Sequence, residues 1–208
     1  MVEDKVAVDA AILAGGRSSR MGTHKALIEL EGKPLIAWVA EKLEAAGVFG
    51  RIFVVSGDAG LVDRVELEFA LDLLHGRGPL GGLHAALHFT GAEYLFLIAC
   101  DMPLANPKLI RVVVERSKGF DVCIPYVNGN FEPLFAVYRR NTVRAVERAL
   151  EGGQRRVISF FPDVRVRRLG DETIRSVDPE LVSFLNINSQ EDIQRAEAII
   201  ARSRGADR

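Results

Sequence analysis

Three cations and several glycines are concentrated near the amino terminus, between residues 13 and 25. This stretch reads Leu-Ala-Gly-Gly-Arg-Ser-Ser-Arg-Met-Gly-Thr-His-Lys, and its cations are Arg17, Arg20 and Lys25. Glycines let backbone N–H groups approach an anion closely, and the cations add positive charge. Residues 10–28 contain no Asp or Glu, although the whole chain contains 28. We therefore predict a phosphate-binding loop in preference to a tight turn with a solvated basic face.

An isolated acid stands at the end of a second apolar run. Asp101 directly follows the run over residues 94–100. The carboxyl ends of parallel strands form the ligand-binding edge of an open α/β sheet, so Asp101 is expected beside the glycine-rich loop. A carboxylate next to phosphates requires a cation between them, and Mg²⁺ prefers one or two carboxylates plus substrate phosphates. We predict that Asp101 is a metal ligand, with a loop-capping aspartate as the alternative. Asp72 is a weaker candidate at the same edge.

A second glycine-rich segment offers a rival interpretation. Residues 76–81 match the pattern GxGxxG, and Asp101 lies twenty positions after Gly81. This combination is typical of a dinucleotide-binding oxidoreductase. Such a function leaves the cationic loop without a role and places the fingerprint in the third strand unit, where the first is usual. The turn over residues 78–82 can instead form the wall of a nucleotide pocket, with its backbone against a planar base.

Apolar periodicity predicts the elements that position these residues. Short continuous apolar runs indicate strands that are covered on both faces. These runs are residues 6–13, 51–55, 69–74, 94–100 and 121–125. Helical spacing occurs between them, over residues 34–46, around 81–89 and over 106–119. This alternation predicts βαβ units and a mostly parallel sheet.

The pattern changes after residue 125. Asn128 and Gly129 separate two strand-like runs and predict a hairpin, an antiparallel excursion from the parallel sheet. A helix over 141–150, a basic strand over 164–169 and a last strand over 184–188 are expected to follow. Ser189 and Asp192 predict the capped start of a final helix that closes near residue 200. We expect one domain over residues 1–208, with its core at about 6–200 and a flexible tail over 201–208 that is frayed over 203–208.

Composition excludes several classes of function. The formal net charge is −1, so the large positive field needed for nucleic-acid binding or for a basic membrane face is absent. No apolar run approaches the roughly 18 residues of a membrane span, and the first residues do not resemble a signal peptide. Cys100 and Cys123 lie in apolar runs without metal-ligand spacing, so we expect reduced, buried thiols. A cytoplasmic protein is expected.

Four motifs together resemble the molybdenum cofactor guanylyltransferase family of MobA-like nucleotidyltransferases. They are residues 13–25, Gly-Pro-Leu-Gly-Gly at 78–82, Cys-Asp-Met-Pro at 100–103 and Asn-Ile-Asn-Ser at 186–189. The resemblance runs from about residue 8 to residue 198. It implies a Rossmann-like three-layer α/β/α sandwich of the nucleotide-diphospho-sugar transferase type, with a mostly parallel sheet.

The resemblance also implies an activity. The expected reaction transfers GMP from GTP to molybdopterin, depends on Mg²⁺ and releases pyrophosphate. GTP and molybdopterin are then the small-molecule partners, and the other biosynthesis proteins of the molybdenum cofactor are the expected protein partners.

Individual residues receive roles by matching the family motifs. Those expected to bind the nucleotide are Leu13, Ala14, Gly15, Gly16, Lys25, Asp72, Gly78, Pro79, Leu80 and Asp101. Arg20, Lys25 and Asp101 are the expected catalytic residues, since they would offset charge on the leaving pyrophosphate, and Asp101 would bind the Mg²⁺. Arg155 and Arg156 are expected to clamp the acceptor's phosphate, with a solvent-facing helix start as the alternative. Asn186 and Asn188, on one face of the predicted last strand, would complete the metal or acceptor side.

The chain departs from the family pattern at His24, where an Asp usually precedes the lysine, and at Ser56, where some members have Asn. Three functions stay open: a guanylyltransferase or a cytidylyl-transferring relative, the oxidoreductase, and a catalytically silent nucleotide-binding subunit. The segment at residues 78–82 favours guanine over cytosine by analogy.

A pair of histidines, His84 and His88, is spaced one helical turn apart on a predicted helix. Such a pair can bind zinc, but no third ligand or HExxH glutamate accompanies it in the sequence. We expect these histidines on a helix surface.

Overall fold

A computed structural model describes residues 7–15, 24–74 and 76–206, and its central feature is an eight-stranded sheet. The strands are β1 (Val8–Leu13), β2 (Glu29–Leu30), β3 (Lys33–Pro34), β4 (Ile52–Ser56), β5 (Glu68–Leu71), β6 (Tyr94–Ala99), β7 (Val122–Val127), β8 (Asn130–Phe131), β9 (Phe135–Arg139) and β10 (Val166–Leu169). The α-helices are α1 (Leu35–Ala46), α2 (Gly78–Phe89), α3 (Pro107–Glu115), α4 (Val143–Glu151), α5 (Asp171–Arg175) and α6 (Gln190–Ala206). Strands β2 and β3 form a separate two-stranded hairpin.

The main sheet has the order β10-β7-β9-β6-β1-β4-β5, with β8 paired to β7. Strand β1 lies in the interior of the sheet, parallel to β6 on one side and to β4 on the other. All six of its residues are buried, as a run without polar alternation predicts. Strand β9 lies antiparallel between β6 and β7. The predicted mostly parallel sheet with an antiparallel excursion is confirmed.

The predicted hairpin is present between β7 and β8. Asn128 and Gly129 occupy its turn with φ angles of 49° and 78°. Two-residue hairpin turns of type I′ need positive φ at both positions, which Asn-Gly accepts at low cost.

Helices cover both faces of the sheet. Alternate residues of β1 point to opposite faces, so that Ala10 and Ile12 join one core cluster while Ala11 and Leu13 join another. The first cluster contains the apolar sides of α1 and α3, and the second those of α2 and α4. The predicted three-layer α/β/α sandwich is confirmed.

The carboxyl-terminal helix α6 packs on a third cluster, against α1 and the β2–β3 hairpin. Its side chains Ile193 and Ala196 contact a group that includes Leu30 and Trp38. The predicted cap is confirmed, since Asp192 accepts bonds from the backbone and hydroxyl of Ser189. The helix extends to Ala206 and so includes part of the segment that the sequence suggests as a tail. Arg204, in the last turn, forms an ion pair of 2.8 Å with Glu31.

The predicted last strand over residues 184–188 is wrong. A short 3₁₀ helix covers Val182–Phe184, and residues 185–188 have no strand partner. A strand needs a neighbouring strand with which to form a ladder of backbone hydrogen bonds. This segment instead makes a single backbone hydrogen bond to the loop after β6, in which Ile187 N donates to Asp101 O at 2.9 Å. Ile187 is instead buried beneath α6.

Both cysteines are buried free thiols, as predicted. Burial raises the pKa of Cys100 to about 12, with a further contribution from the Asp101 charge. Burial also raises the pKa of Cys123 to about 12. Both therefore stay protonated at neutral pH and are poor nucleophiles. Within the part of the chain that the structure describes, every helix is too short or too polar to pass through a bilayer.

Candidate active site

A cavity of about 470 Å³ lies at the carboxyl edge of the sheet. Residues that follow β1, β4, β5 and β6 line it together with the start of α2. They include Leu13, Gly15, Lys25, Ser56, Gly57, Asp72, Leu74, Gly76, Gly78, Pro79, Ala99, Cys100, Asp101 and Leu134. This is the edge at which open α/β sheets bind ligands.

Strand register brings the chemistry-bearing loops together. Leu13, the last residue of β1, pairs with Val55 in β4 and with Ala99 in β6. Beyond the ladder, Cys100 N donates to Leu13 O at 3.1 Å. The segments that follow the three strands therefore leave the sheet side by side, and Asp101 and Gly15 line the same cavity.

Lys25 joins three segments that are distant in sequence. It lies on a short 3₁₀ helix, Lys25–Leu27, and its Nζ donates to Asp101 Oδ2 and, at 2.6 Å, to Asn188 Oδ1. The two partners are 76 and 163 positions away. The Lys25 and Asp101 side chains are 19% and 14% exposed, so water screens this ion pair less than one on the surface. The lysine and the acid that the sequence analysis selected are in direct contact.

The second carboxylate oxygen of Asp101 has a different environment. Oδ1 is buried and has no hydrogen-bond partner among the described residues. An unsatisfied buried acceptor costs about 1–3 kcal/mol, and more when it is charged, so such an atom calls for an explanation. A cation bound beside it would satisfy this oxygen. The amide oxygen of Asn188, which accepts a hydrogen bond from the same Lys25 ammonium group, is a neutral metal-ligand type close to Asp101.

Asn188 is held in place by the start of α6. Its backbone N–H donates to Asp192 Oδ2 at 2.9 Å, and the preceding Ile187 is tied to the Asp101 carbonyl. The bond from Asn188 is the main reason that the pKa of Asp192 lies below its ordinary value, since it favours the charged carboxylate. The helix cap therefore positions Asn188 against Lys25.

The start of α2 forms the opposite wall. Gly78 has φ +64° and Pro79 occupies the first turn, which suits the fixed φ and missing N–H of proline. Leu80 N donates to Arg155 O at 3.3 Å, which ties this turn to the segment after α4. The partial positive charge of a helix amino terminus thus lies beside the cavity.

Gly82 allows α2 to approach β1 closely. A Cβ atom at this position would lie 2.2 Å from Leu13 Cδ1. Leu13 forms part of the cavity wall, so the close packing of the helix on the strand defines the shape of the cavity.

Asp72 directly follows β5, although the sequence predicted a strand through residue 74. Its backbone N donates to Ser56 O at 2.9 Å, and its Oδ1 accepts from Leu74 N at 2.9 Å. Asp72 lines the cavity, and the bond that its carboxylate accepts from Leu74 N stabilises the turn after the edge strand.

A family model, the MobA-like NTP transferase domain, matches residues 10–168. The chain belongs to this family. Proteins of the MobA-like family use a divalent metal ion with their nucleotide substrate. The chain is a nucleotidyltransferase, and the oxidoreductase alternative is rejected. In agreement, the GxGxxG segment follows the edge strand β5, and its residues share the cavity with Gly15 and Lys25, which lie on either side of the cationic segment in the sequence.

Relatives of similar length support the assignment to the MobA-like family. A probable molybdenum cofactor guanylyltransferase from Pelotomaculum thermopropionicum is 40% identical over 195 residues, which cover 93% of each chain. A molybdenum cofactor guanylyltransferase from Desulfosudis oleivorans is 35% identical over 207 residues, covering 95% of this chain and 98% of that one.

A solved structure confirms the fold type. The crystal structure of molybdopterin-guanine dinucleotide biosynthesis protein A from Archaeoglobus fulgidus matches with a TM-score of 0.80 and 35% identity. The match covers 93% of this chain and 99% of that one.

A second cavity of about 650 Å³ adjoins the first and shares Gly78, Pro79 and Leu134 with it. Arg155 and Arg156 line this second cavity, opposite the tip of the β7–β8 hairpin. The hairpin contributes Tyr126 and Phe131, whose ring centroids lie 4.9 Å apart.

Some predicted residues lie away from both cavities. The side chains of Ala14 and Leu80 are fully buried in the two main core clusters, so they support the cavity wall from behind. Asn186 donates to Phe184 O at 3.4 Å and does not join Lys25 and Asp101. The idea that both asparagines share one face of a strand fails because the strand is absent. Gly16 and Arg20 lie outside the described residues.

Gly57 and Leu134 also line the first cavity, although no sequence pattern described above predicted them. Gly57 follows the carboxyl end of β4, so the argument that selected Asp101 applies to it equally. Leu134 had no such signal, because its place between the cavities depends on the path of the chain into the antiparallel strand β9.

Proposed function

We propose that this protein transfers GMP from GTP to molybdopterin, which yields molybdopterin guanine dinucleotide and pyrophosphate. The observation that carries the proposal is the convergence of Lys25, Asp101 and Asn188 at a cavity that adjoins a second one lined by two arginines. The relatives whose names specify a guanylyltransferase support the choice of guanine and of the acceptor. We take the whole chain as a single nucleotidyltransferase domain.

In-line transfer requires alignment and charge neutralisation rather than a base. An oxygen of the acceptor's phosphate forms a bond to the α-phosphorus while the bond to the bridging oxygen of the β-phosphate breaks. The attacking phosphate is already ionised, so no proton has to be removed from it. Lys25 binds the phosphates, and the amino terminus of α2 adds partial positive charge on the other side. Arg20, in the cationic loop, is assigned to the same task.

Mg²⁺ is the metal that suits the oxygens at this site. Asp101 Oδ1, buried and without a donor within residues 7–15, 24–74 and 76–206, and the neutral amide oxygen of Asn188 are the ligand types that Mg²⁺ accepts. We assign Asp101 as its carboxylate ligand and Asn188 as a supporting ligand. When bound, the ion offsets negative charge on the triphosphate.

Asp72 is assigned to the nucleotide base. Guanine presents its N1–H and exocyclic amino group as adjacent donors, and a carboxylate that accepts both discriminates against cytosine, whose corresponding edge has an acceptor. Leu74 N fixes one Asp72 oxygen, so the carboxylate is already oriented before the base binds. The backbone at Gly78 and Pro79 leaves a flat wall for the ring.

The second cavity is assigned to the acceptor. Arg155 and Arg156 suit bidentate recognition of a phosphate, and Tyr126 and Phe131 offer aromatic surface to a planar ring system. The shared wall at Leu134 brings an acceptor phosphate close to the nucleotide.

The proposal is tested with purified protein, Mg²⁺, molybdopterin and either GTP or CTP labelled at the α-phosphate. We expect pyrophosphate release and transfer of label to the pterin with GTP only. Label transfer from CTP would indicate a cytidylyltransferase, and nucleotide binding without turnover would indicate a silent binding subunit. Either result overturns the proposal.

A further inference from the structure

Three side chains of types that can ligate a metal converge where helices α2 and α4 face each other, and none of the three lines the nucleotide cavity. His84 and His88 lie on α2, and Glu147 lies on α4, 59 positions after His88. The His88 Nε2 atom is 3.1 Å from His84 Nε2 and 3.3 Å from Glu147 Oε1. The third distance, from His84 Nε2 to Glu147 Oε1, is 3.8 Å.

These separations match those around a small tetrahedral ion. Zinc–nitrogen and zinc–oxygen bonds of about 2.0–2.2 Å at tetrahedral angles place neighbouring ligand atoms ~3.3 Å apart. The three observed distances bracket this value, so a point exists at bonding distance from all three atoms. Histidines one turn apart on a helix are a known arrangement for holding zinc.

Packing between α2 and α4 explains why the third ligand meets the pair. Leu83 and Leu87 of α2 and Val146 of α4 belong to one buried cluster, which fixes the facing sides of the two helices. Glu147 follows Val146 directly, at the rim of this contact. The side chains of His84, His88 and Glu147 are 22%, 54% and 31% exposed, so an ion reaches them from solvent.

Charge in the surroundings favours a cation. Burial lowers the pKa of His84, and the neighbouring His88 lowers it further. The His84 imidazole is therefore neutral at pH 7, and one ring nitrogen has a lone pair for a metal ion. Glu147 and Asp72 add negative charge near His84. Arg144 opposes this, since its guanidinium lies 3.8 Å from the other Glu147 oxygen, but its side chain is 84% exposed and interacts weakly.

We propose that His84, His88 and Glu147 form a binding site for a divalent transition-metal ion, with Zn²⁺ as the preferred occupant. Two imidazoles and one carboxylate suit Zn²⁺ far better than Mg²⁺, which prefers oxygen ligands and retains its water. The fourth position of the tetrahedron faces solvent. The bound ion links α2 to α4 and stabilises the folded chain, because the unfolded chain does not bring the three ligands together.

The test is a titration of the full, chelator-treated chain with Zn²⁺, in excess Mg²⁺ so that the oxygen site is saturated. Isothermal titration calorimetry should give a stoichiometry of one Zn²⁺ per chain. A thermal melting experiment should show a higher melting temperature when Zn²⁺ is present. Co²⁺ in place of Zn²⁺ should give the visible absorption bands of tetrahedral coordination. His84→Ala, His88→Ala and the near-isosteric Glu147→Gln should each weaken Zn²⁺ binding by at least about tenfold.

Glu151→Gln is the matched control, because Glu151 is an exposed glutamate one turn further along α4. This variant should bind Zn²⁺ like the unaltered chain. Circular dichroism establishes that each variant is folded. The proposal is overturned if the chain shows no saturable Zn²⁺ binding, or if the histidine variants and Glu147→Gln bind as tightly as the control.

Discussion

The nucleotide cavity and the His84–His88–Glu147 cluster use opposite ends of helix α2 and are built in different ways. The cavity is assembled from segments that leave the strands at one sheet edge, together with the first turn of α2. The cluster is assembled from the facing sides of two regular helices. A site at strand ends follows from topology, whereas a site between helices depends on the rotation of one helix against the other.

The largest expected effect separates the two sites directly. Asp101→Asn removes the charge that would hold the metal, so guanylyl transfer should fall by about 10²–10³-fold or more. Pyrophosphate release in steady state measures the rate, and thermal melting checks the fold. Zn²⁺ binding to the cluster should be unchanged in this variant. A rate within about tenfold of the original would refute the metal assignment.

Lys25→Ala tests the cationic side of the cavity. Loss of a charged hydrogen-bond donor to phosphate is worth about 1.5–3 kcal/mol, so the apparent GTP affinity should fall by about 10–100-fold. Equilibrium binding of GTP measures this change. Lys33→Ala is the matched control, since Lys33 pairs with Glu41 on the surface and should not affect GTP. Equal GTP affinity in both variants would reject the role of Lys25.

Gly82→Ala tests how tightly α2 is packed on β1. The added methyl group would lie 2.2 Å from Leu13 Cδ1 and push that side chain toward the nucleotide cavity. Overpacking of this kind costs about 1–3 kcal/mol in the free energy of unfolding, measured with urea. GTP binding should weaken as well, because Leu13 lines the cavity. Gly91→Ala, where a Cβ meets nothing within 4 Å, should be close to neutral.

Asp192→Ala tests the cap that positions Asn188. Loss of the cap should lower the free energy of unfolding by about 1 kcal/mol and should also reduce the transfer rate, since Asn188 loses its anchor. Glu191→Ala, on the neighbouring exposed residue, serves as control. The folded-state pKa of Asp192 is depressed, so its contribution is complete above the ordinary value of 3.8 and is lost as the pH falls through the folded value. A stability difference that persists in strong acid would contradict this account.

The sequence predicted the central sheet well because buried parallel strands have a local signature. Tyr94–Ala99 is a continuous apolar run and Val8–Leu13 is interrupted only by Asp9, and the residue after each run lies at the ligand-binding edge by topology. The sequence therefore predicted that Lys25 and Asp101 lie at the same sheet edge, and the structure adds that their side chains are in direct contact.

Two other parts of the molecule had no comparable signal. The segment over residues 184–188 has strand-like apolar residues, but its packing under α6 decides its conformation. The apolar pattern of a sequence does not show whether a partner strand lies beside the segment. Glu147 looks like any other polar residue on a helix face. Its meeting with His84 depends on how α2 and α4 pack, which the sequence analysis did not predict.

The hairpin of β7 and β8 projects beyond the antiparallel strand, and its tip contributes Tyr126, Gly129, Asn130 and Phe131 to the second cavity. Among the described residues, none from this tip lines the first cavity. Because we propose that the second cavity receives the acceptor, we expect that exchange of a few hairpin residues changes which acceptor binds and leaves the first cavity unaltered. A scaffold divided in this way is suited to diversification, and a grafted tip is a practical starting point for redesign.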